Sequence, residues 1–329
     1  MEEEWQKAYL QNELPEKDGF SYFQGTVEES LEALREMEVL SVFIKSKVYR
    51  SLLAGLPKLR FIATRSTGFE HIDLEAARER GIVVSNVPAY GENTVAEHAF
   101  ALILSLSRNL RKAYLRTLQN NFSIDNLMGF DLKGKTLGVV GTGHIGVHVI
   151  RIGVAFGMKV IASDAKEQRI LSEALNFDYV SFEELLKRSD ILTLHVPFLP
   201  GTRHLIGKKA IRIIKKGAIL INTARGGLVD TDALVEALDK GILSGAGLDV
   251  LEEEEFILEE KRLLEGTENE EHWKKLQTTL KNHVLLHREN VVYTPHMAFY
   301  SREAVQRILD TTIENIRAFL SRKPVNQVK

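Results

Sequence analysis

The 329-residue chain contains no cysteine. That excludes disulfide staples, thiolate metal sites and a cysteine nucleophile, and it fits a reducing compartment. An excess of charge of one sign is also missing: 43 basic side chains face 45 acidic ones, for a formal net charge of −2. No basic surplus asks for nucleic acid, and no acidic tail asks for a basic partner. The opening residues, Met1-Glu2-Glu3-Glu4-Trp5, carry no apolar h-region, so no secretory signal is expected. The most apolar helical segment, Ala99 to Leu106, is far too short to span a bilayer. A cytoplasmic protein without membrane contact is the default expectation. There is no zinc-ligand spacing, no Gly-x-Ser-x-Gly elbow, no P-loop, no internal repeat and no low-complexity tract. His144 and His148 stand one helical turn apart like a metal pair, but no third ligand is near, so no metal is expected.

What is present is apolar material for large cores, 44% of residues, and a length that suggests about two domains. The chain is organised around the stretch from Thr136 to Gly146. Leu137 to Val140 reads as a buried parallel strand, which breaks into a glycine turn and resumes at helical spacing through Val147, Ile150, Val154 and Ala155. The turn matches G-x-G-x-x-G. Gly141 permits the tight bend, Gly143 lets backbone approach a pyrophosphate, and Gly146 lets helix and strand pack closely. His144 and Ile145 lie in the same loop, where a helix N-terminus offers N–H groups and positive dipole to phosphate.

Such a turn alone is weak, because glycine turns are common. Here a second strand, Met158 to Ser163, ends at Asp164, 18 residues beyond Gly146. That is where the fold places an acid for the adenosine ribose hydroxyls. A structural turn followed by a surface acid would not need strand, turn, helix, strand and acid in this order. Asp164 also repels a 2′-phosphate and so favours NAD over NADP, with Lys166 and Arg169 pulling the other way.

Residues 1–92 alternate apolar runs with helical patterns and predict a small parallel α/β domain. Val39 to Ile44, Arg60 to Thr64 and Ile82 to Ser85 read as strands, and Ser21 to Gln24 as a weaker candidate. Glu28 to Met37 and Asp73 to Arg80 read as helices. Thr94-Val95-Ala96-Glu97 spells a capping box, with Thr94 as N-cap, which places the first domain boundary just before it. Residues 93–298 then form the nucleotide-binding domain. Residues 299–329 return to complete the first domain, through a helix whose apolar face carries Val305, Ile308, Ile313, Ile316 and Phe319. A charged, mainly helical insertion lies between Asp249 and Asn290.

Within 93–298, strand ends carry Gly141, Asp164, His195, Arg225, Asp249 and His296. Ligands of an open parallel sheet bind outside the carboxyl ends of its strands, so these groups are expected to form one site. Reducing a 2-keto acid requires a cation to hold its carboxylate, an acid to protonate the developing alkoxide, and a carboxylate to keep that acid charged. Arg225, in the turn after a buried strand, suits the first task because a guanidinium holds paired oxygens bidentately. His296, after Thr294-Pro295, suits the second. For the third, Asp249 and the run Glu252 to Glu255 are available, and spacing does not choose among them. His195 is expected to shape the nicotinamide side.

Together these residues resemble the D-isomer-specific 2-hydroxyacid dehydrogenases, and within them the lactate branch. The resemblance rests on Arg65 to Asp73, Asn86 to Tyr90, Val95 to His98, Gly141 to Gly146, Leu194-His195-Val196-Pro197, Asn222 to Gly226, Gly247 to Val250 and Thr294 to Tyr300. It implies a doubly wound, parallel-sheet Rossmann domain that binds NAD and a smaller, discontinuous flavodoxin-like α/β substrate domain. It also implies interconversion of a small 2-keto acid and its D-2-hydroxy acid, pyruvate and D-lactate foremost. Glyoxylate, hydroxypyruvate or a bulkier keto acid is the alternative, and an NADH-binding scaffold is the rival class. Carried onto this chain, the family implies Arg225, Glu254 and His296 as catalytic residues. Val95, Val196, Pro197, Thr223, Ala224 and Asp249 join the glycine turn, Asp164 and His195 around NAD. Thr67, Gly68, Tyr90, Phe299 and Tyr300 join Arg225 around substrate. A homodimer joined through the nucleotide domain is implied as well. One departure stands out: the family opens with an apolar strand, where this chain has Glu2-Glu3-Glu4-Trp5.

Overall fold

Runs of aliphatic and β-branched residues too short for helices become strands once they can be covered on both faces. In the computed structural model, which describes residues 3–15, 19–23, 25–254 and 270–328, such runs form two parallel sheets. The strands are β1 (Val39–Val42), β2 (Phe61–Thr64), β3 (Val83–Ser85), β4 (Thr136–Val140), β5 (Lys159–Ser163), β6 (Asp178–Tyr179), β7 (Ile191–Leu194), β8 (Ala218–Asn222), β9 (Leu243–Leu248) and β10 (Val291–Tyr293). The chain divides into two compact units, Gly91–Phe299 and Met1–Tyr90 with Tyr300–Lys329.

In the larger unit the described strands pair in the order β10-β9-β8-β7-β4-β5-β6. Every residue of β7 and β8 is buried, as expected of strands with helices on both faces. Strand order reverses between β4 and β7, so their carboxyl ends form the topological switch point, where doubly wound sheets bind ligands. One core cluster includes Ala96, Ala99 and Ile103 of the helix Glu92–Ser107 with Val149 and Ile150 of the helix His144–Ala155. The other face is covered by the helices Phe182–Arg188, Lys208–Ile211 and Thr231–Asp239.

Three sequence expectations are corrected. The helix begins at Glu92, not after Thr94, and its N-cap is Gly91. Thr94 is buried inside it, and Glu97 accepts from Asn93 Nδ2 (3.2 Å) instead of reaching back to a cap. Residues 21–23 form no strand, and Gln24 lies outside the described residues. The two-residue β6 was missing from the expected strands, being too short to show any periodicity. In the expected helical insertion, residues 255–269 lie outside the described set, and the helix Glu270–Leu286 follows.

The smaller unit has β2 between β1 and β3 among its described strands. Alternate residues of β2 serve opposite cores, as the period of two requires. Ile62 joins Leu40, Val42, Leu53 and Val84. Phe61 and Ala63 face Val305, Leu309, Ile313 and Ile316 of the helix Arg302–Leu320. That helix is capped by Ser301, whose hydroxyl accepts from Ala304 N (3.1 Å). No strand opens the described chain: Glu4–Glu13 is a helix that adds Leu10, with Leu14 just beyond it, to the same cluster. Residues near the carboxyl end lie along β3, with Val328 N donating to Val84 O (2.9 Å) and Ser85 bridged to Gln327.

Candidate active site

At the end of β4 the three glycines do three different things. Gly141 has φ +94°, and a Cβ there would lie 2.5 Å from the His195 carbonyl oxygen. At Gly146 a Cβ would lie 2.0 Å from the Gly141 carbonyl oxygen, so helix and turn touch backbone to backbone. A Cβ at Gly143 meets nothing within 4 Å, which leaves that side of the turn open to a ligand. Gly143 is also the helix N-cap and brings no capping side chain, so the first-turn N–H groups at His144 and Ile145 remain available to phosphate.

Asp164, at the end of β5, is tied to this turn. Its Oδ2 accepts from Thr142 N (2.6 Å) and Thr142 Oγ1 (3.0 Å), and its Oδ1 accepts from Lys166 N (2.8 Å). Partial burial pushes its pKa up, but these donors together outweigh burial and hold it below the usual carboxylate value. Thr142 Oγ1 also meets the Tyr179 hydroxyl (2.9 Å). Neither residue was singled out from the sequence. The only sequence signal is a hydroxyl beside Gly141 and another at the end of the next strand.

At the end of β7, burial lowers the pKa of His195 to about 3, so its ring is neutral. Its Nε2 lies 2.8 Å from Thr193 Oγ1, while Nδ1 is buried without a partner. Thr223 Oγ1, after β8, is likewise buried without a partner. Two orphaned polar atoms, after the neighbouring strands β7 and β8 and with His195 against the glycine turn, fit a bound dinucleotide that supplies their partners. Val196, Pro197 and Ala224 flank them in sequence, and Val95 is buried in the helix that starts at Glu92. Phe299, the last residue of this unit, is within reach of Val95's neighbour Gly91, whose added Cβ would lie 3.7 Å from Phe299 Cβ.

The turn after β8 is built by Asn222, buried at the strand end. Its Oδ1 accepts from Ala224 N (3.1 Å), and its Nδ2 donates to Arg225 O (2.9 Å). Arg225 Nη1 donates back to Ala224 O (2.8 Å). Gly226 follows, and a Cβ there would lie 2.0 Å from the Leu251 carbonyl oxygen. The arginine turn therefore rests directly on the backbone that leads to Glu254.

Glu254 Oε1 lies 2.7 Å from His296 Nδ1, and Glu254 Oε2 accepts from Leu251 N (3.1 Å). Burial alone would lower the His296 pKa. The Glu254 hydrogen bond and charge, helped by Asp249, more than offset this and raise it, with Arg225 opposing. Nδ1 is thus the nitrogen committed to the carboxylate, which leaves Nε2 for proton exchange. His296 has φ +52°, in the left-handed region that costs a non-glycine residue energy.

Asp249 supports this loop from below. It is fully buried: Oδ1 accepts from Thr294 Oγ1 (2.5 Å) and Met297 N (3.0 Å), and Oδ2 accepts from Ala298 N (2.8 Å). His98 Nε2 sits 2.9 Å from Thr294 Oγ1 and 3.5 Å from Asp249 Oδ1. Among the acids that spacing left open, Asp249 braces backbone and Glu252 bonds His204 Nε2 (2.6 Å). Glu255 lies outside the described residues.

The remaining expected residues belong to the smaller unit. Thr67 and Gly68 follow β2 in a turn held by Ser66 Oγ, which donates to Gly68 O (2.6 Å), and by Thr67 Oγ1, which donates to Val87 O (2.8 Å). Tyr90 O accepts from Arg307 Nε (2.6 Å). Tyr300 packs on the cluster around Phe61, with its hydroxyl donating to Glu3 (3.1 Å). Among the described residues no three His, Cys, Asp or Glu side chains are grouped to hold a metal, and no helix is long and apolar enough to cross a membrane.

Residues 100–298 match the D-isomer specific 2-hydroxyacid dehydrogenase, NAD binding domain. A D-lactate dehydrogenase of Escherichia coli is 35% identical over 318 residues, covering 95% of this chain and 93% of that protein. A glyoxylate reductase of Thermococcus litoralis is 37% identical over 296 residues, 88% of this chain and 82% of that protein. The crystal structure of a D-lactate dehydrogenase from Aquifex aeolicus, complexed with NAD and lactic acid, superimposes with a TM-score of 0.84 at 38% identity. That match covers 99% of this chain and 98% of that one. Likeness of this extent, on top of a turn shaped for NAD, places the chain in the D-isomer-specific 2-hydroxyacid dehydrogenase family, with its larger unit as the NAD-binding domain.

Proposed function

We propose that this protein reduces a small 2-keto acid to its D-2-hydroxy acid, with pyruvate and D-lactate as the pair, and that it also runs the reverse reaction. The observation that carries the reading is the His296–Glu254 contact of 2.7 Å, on a loop facing the charge of Arg225. The Gly141–Gly146 turn would hold NADH, which would supply the hydride. Arg225 holds the acid's carboxylate and polarises its carbonyl. His296, its pKa raised by Glu254, donates its Nε2 proton to the oxygen that becomes the hydroxyl, and neutral His296 takes it back in oxidation. The smaller unit acts as the substrate domain. Its Thr67-Gly68 turn offers backbone N–H groups to the carboxylate, and Tyr90 approaches the substrate.

Glyoxylate is the second reading, supported by a glyoxylate reductase being as similar as a lactate enzyme. Following loss of NADH absorbance with pyruvate, glyoxylate, hydroxypyruvate and phenylpyruvate separates them. Pyruvate should give the highest kcat/KM and yield D-lactate, as judged by a stereospecific oxidase. A preference for glyoxylate establishes the second reading, and no turnover of any keto acid overturns both.

The active form is a homodimer joined through the larger unit. Phe122, Ile124 and Met128 are 75%, 83% and 92% exposed, beside Tyr114 and Leu118 on the helix Leu110–Leu118. An apolar patch of this kind marks a surface that a partner covers.

A further inference from the structure

Three asparagines of the smaller unit form a one-way relay that ends on the Thr67-Gly68 turn. Asn326 Nδ2 donates to Asn315 Oδ1 (2.9 Å), and Asn315 Nδ2 donates to Asn86 O (2.8 Å). Asn86 Nδ2 then donates to Thr67 O (2.8 Å). The relay is closed by backbone, because Asn86 N donates to Asn326 O (3.1 Å). Asn315 sits at 0% exposure on the helix Arg302–Leu320, where an amide is costly unless satisfied. Asn326 is in left-handed backbone, φ +50°, which turns its amide toward that helix.

The direction of the last bond matters for chemistry. In a planar trans peptide the C=O and N–H point in opposite directions. Fixing Thr67 O on Asn86 therefore aims the Gly68 N–H the other way. Ser66 Oγ does the same for the next peptide by holding Gly68 O. Among the described residues, neither the Gly68 nor the Phe69 N–H finds an acceptor within the protein. Two successive N–H groups held outward make a concavity for an anion.

We infer that Asn326 and Asn315 are positioning residues for substrate: through Asn86 they fix the Thr67 carbonyl and so orient the N–H groups that receive the keto acid's carboxylate. This rests on the dehydrogenase reading above. The residues near the carboxyl end thus set affinity for the acid without touching it.

The test uses the full-length protein with Asn326→Gly and Asn326→Asp. Glycine tolerates the left-handed backbone, so the first variant removes only the amide. The carboxylate of the second faces Asn315 Oδ1. Asn315 must then turn its amide over, which sets its oxygen against Asn86 O and breaks the relay. With saturating NADH, KM for the keto acid should rise about three- to tenfold in Asn326→Gly, the equivalent of one lost hydrogen bond. It should rise further in Asn326→Asp, with kcat and the KM for NADH within about twofold of wild type in both, as expected when the lost contact binds the ground state and the transition state equally. Unchanged keto-acid KM in both variants overturns the inference, as does a fall in kcat and NADH affinity to match, which marks general destabilisation. No turnover by the wild-type protein overturns the dehydrogenase reading first and this inference with it.

Discussion

Glu254 Oε1 and His296 Nδ1 are 2.7 Å apart although 42 residues separate them in sequence. The contact joins the turn after β9 to the loop after β10. It commits Nδ1 to the carboxylate, leaves Nε2 as the other ring nitrogen for proton exchange, and supplies the negative charge that raises the pKa of a half-buried imidazole against the pull of burial. Asp249 makes the contact possible by anchoring three donors of the same loop, so that the left-handed His296 backbone is held from both sides.

Replacing His296 by alanine should therefore lower kcat by roughly 10²–10⁴-fold, the span attributed to a positioned general acid. The glycine turn is untouched, so NADH should bind the variant as it binds wild type, which a fluorescence titration would show. Near-normal turnover would remove His296 from the chemistry.

Glu254→Gln separates charge from shape. Reduction needs His296 protonated, so its kcat/KM should be flat at low pH and fall as pH rises through the raised pKa. Oxidation needs the neutral ring and should rise through the same pKa. Glutamine removes the charge that outweighs burial, so burial should pull the pKa down. Both limbs should then move to lower pH. Profiles in the two directions check the sign, and a shift to higher pH would contradict the pairing.

The sequence showed the parts of this protein that depend on local geometry. Gly141, Gly146 and Asp164 are readable because a tight turn, a close backbone approach and a strand-end acid recur at set spacing. Glu254 was different, because four successive glutamates give no periodicity to separate them. The choice is made by Glu253 in left-handed backbone and by Asn282, whose Nδ2 holds Glu252 O (2.8 Å) from a distant helix. Thr94 misled because a capping box is a local preference, and packing of Val95, Ala96 and Ala99 buried the threonine within the helix. The asparagine relay left no trace in sequence, since its three members lie on a loop, a helix and a terminal segment.

Asp164→Ala should relax cofactor choice. The carboxylate accepts from Thr142 and Lys166, and at this strand end its charge would repel a 2′-phosphate. Its loss should raise the kcat/KM ratio of NADPH to NADH by about tenfold or more, on the scale of one charge-assisted hydrogen bond. Most of the change should come from weaker NADH binding, because the adenosine ribose hydroxyls lose the carboxylate that would accept from them. A ratio unmoved by the substitution would make Asp164 a brace for the glycine turn alone.

Ile124→Glu probes the exposed apolar surface. The side chain is 83% exposed in a single chain, so a substitution there should change the folding stability of one chain by less than about 0.5 kcal/mol. If that surface is covered by a second copy, a carboxylate buried at the contact without a partner costs several kcal/mol of association. The variant should then sediment as one chain at concentrations where wild type sediments as two, with its NADH-binding turn intact. A wild-type protein that sediments as a single chain at every concentration would leave Phe122, Ile124 and Met128 to a different partner.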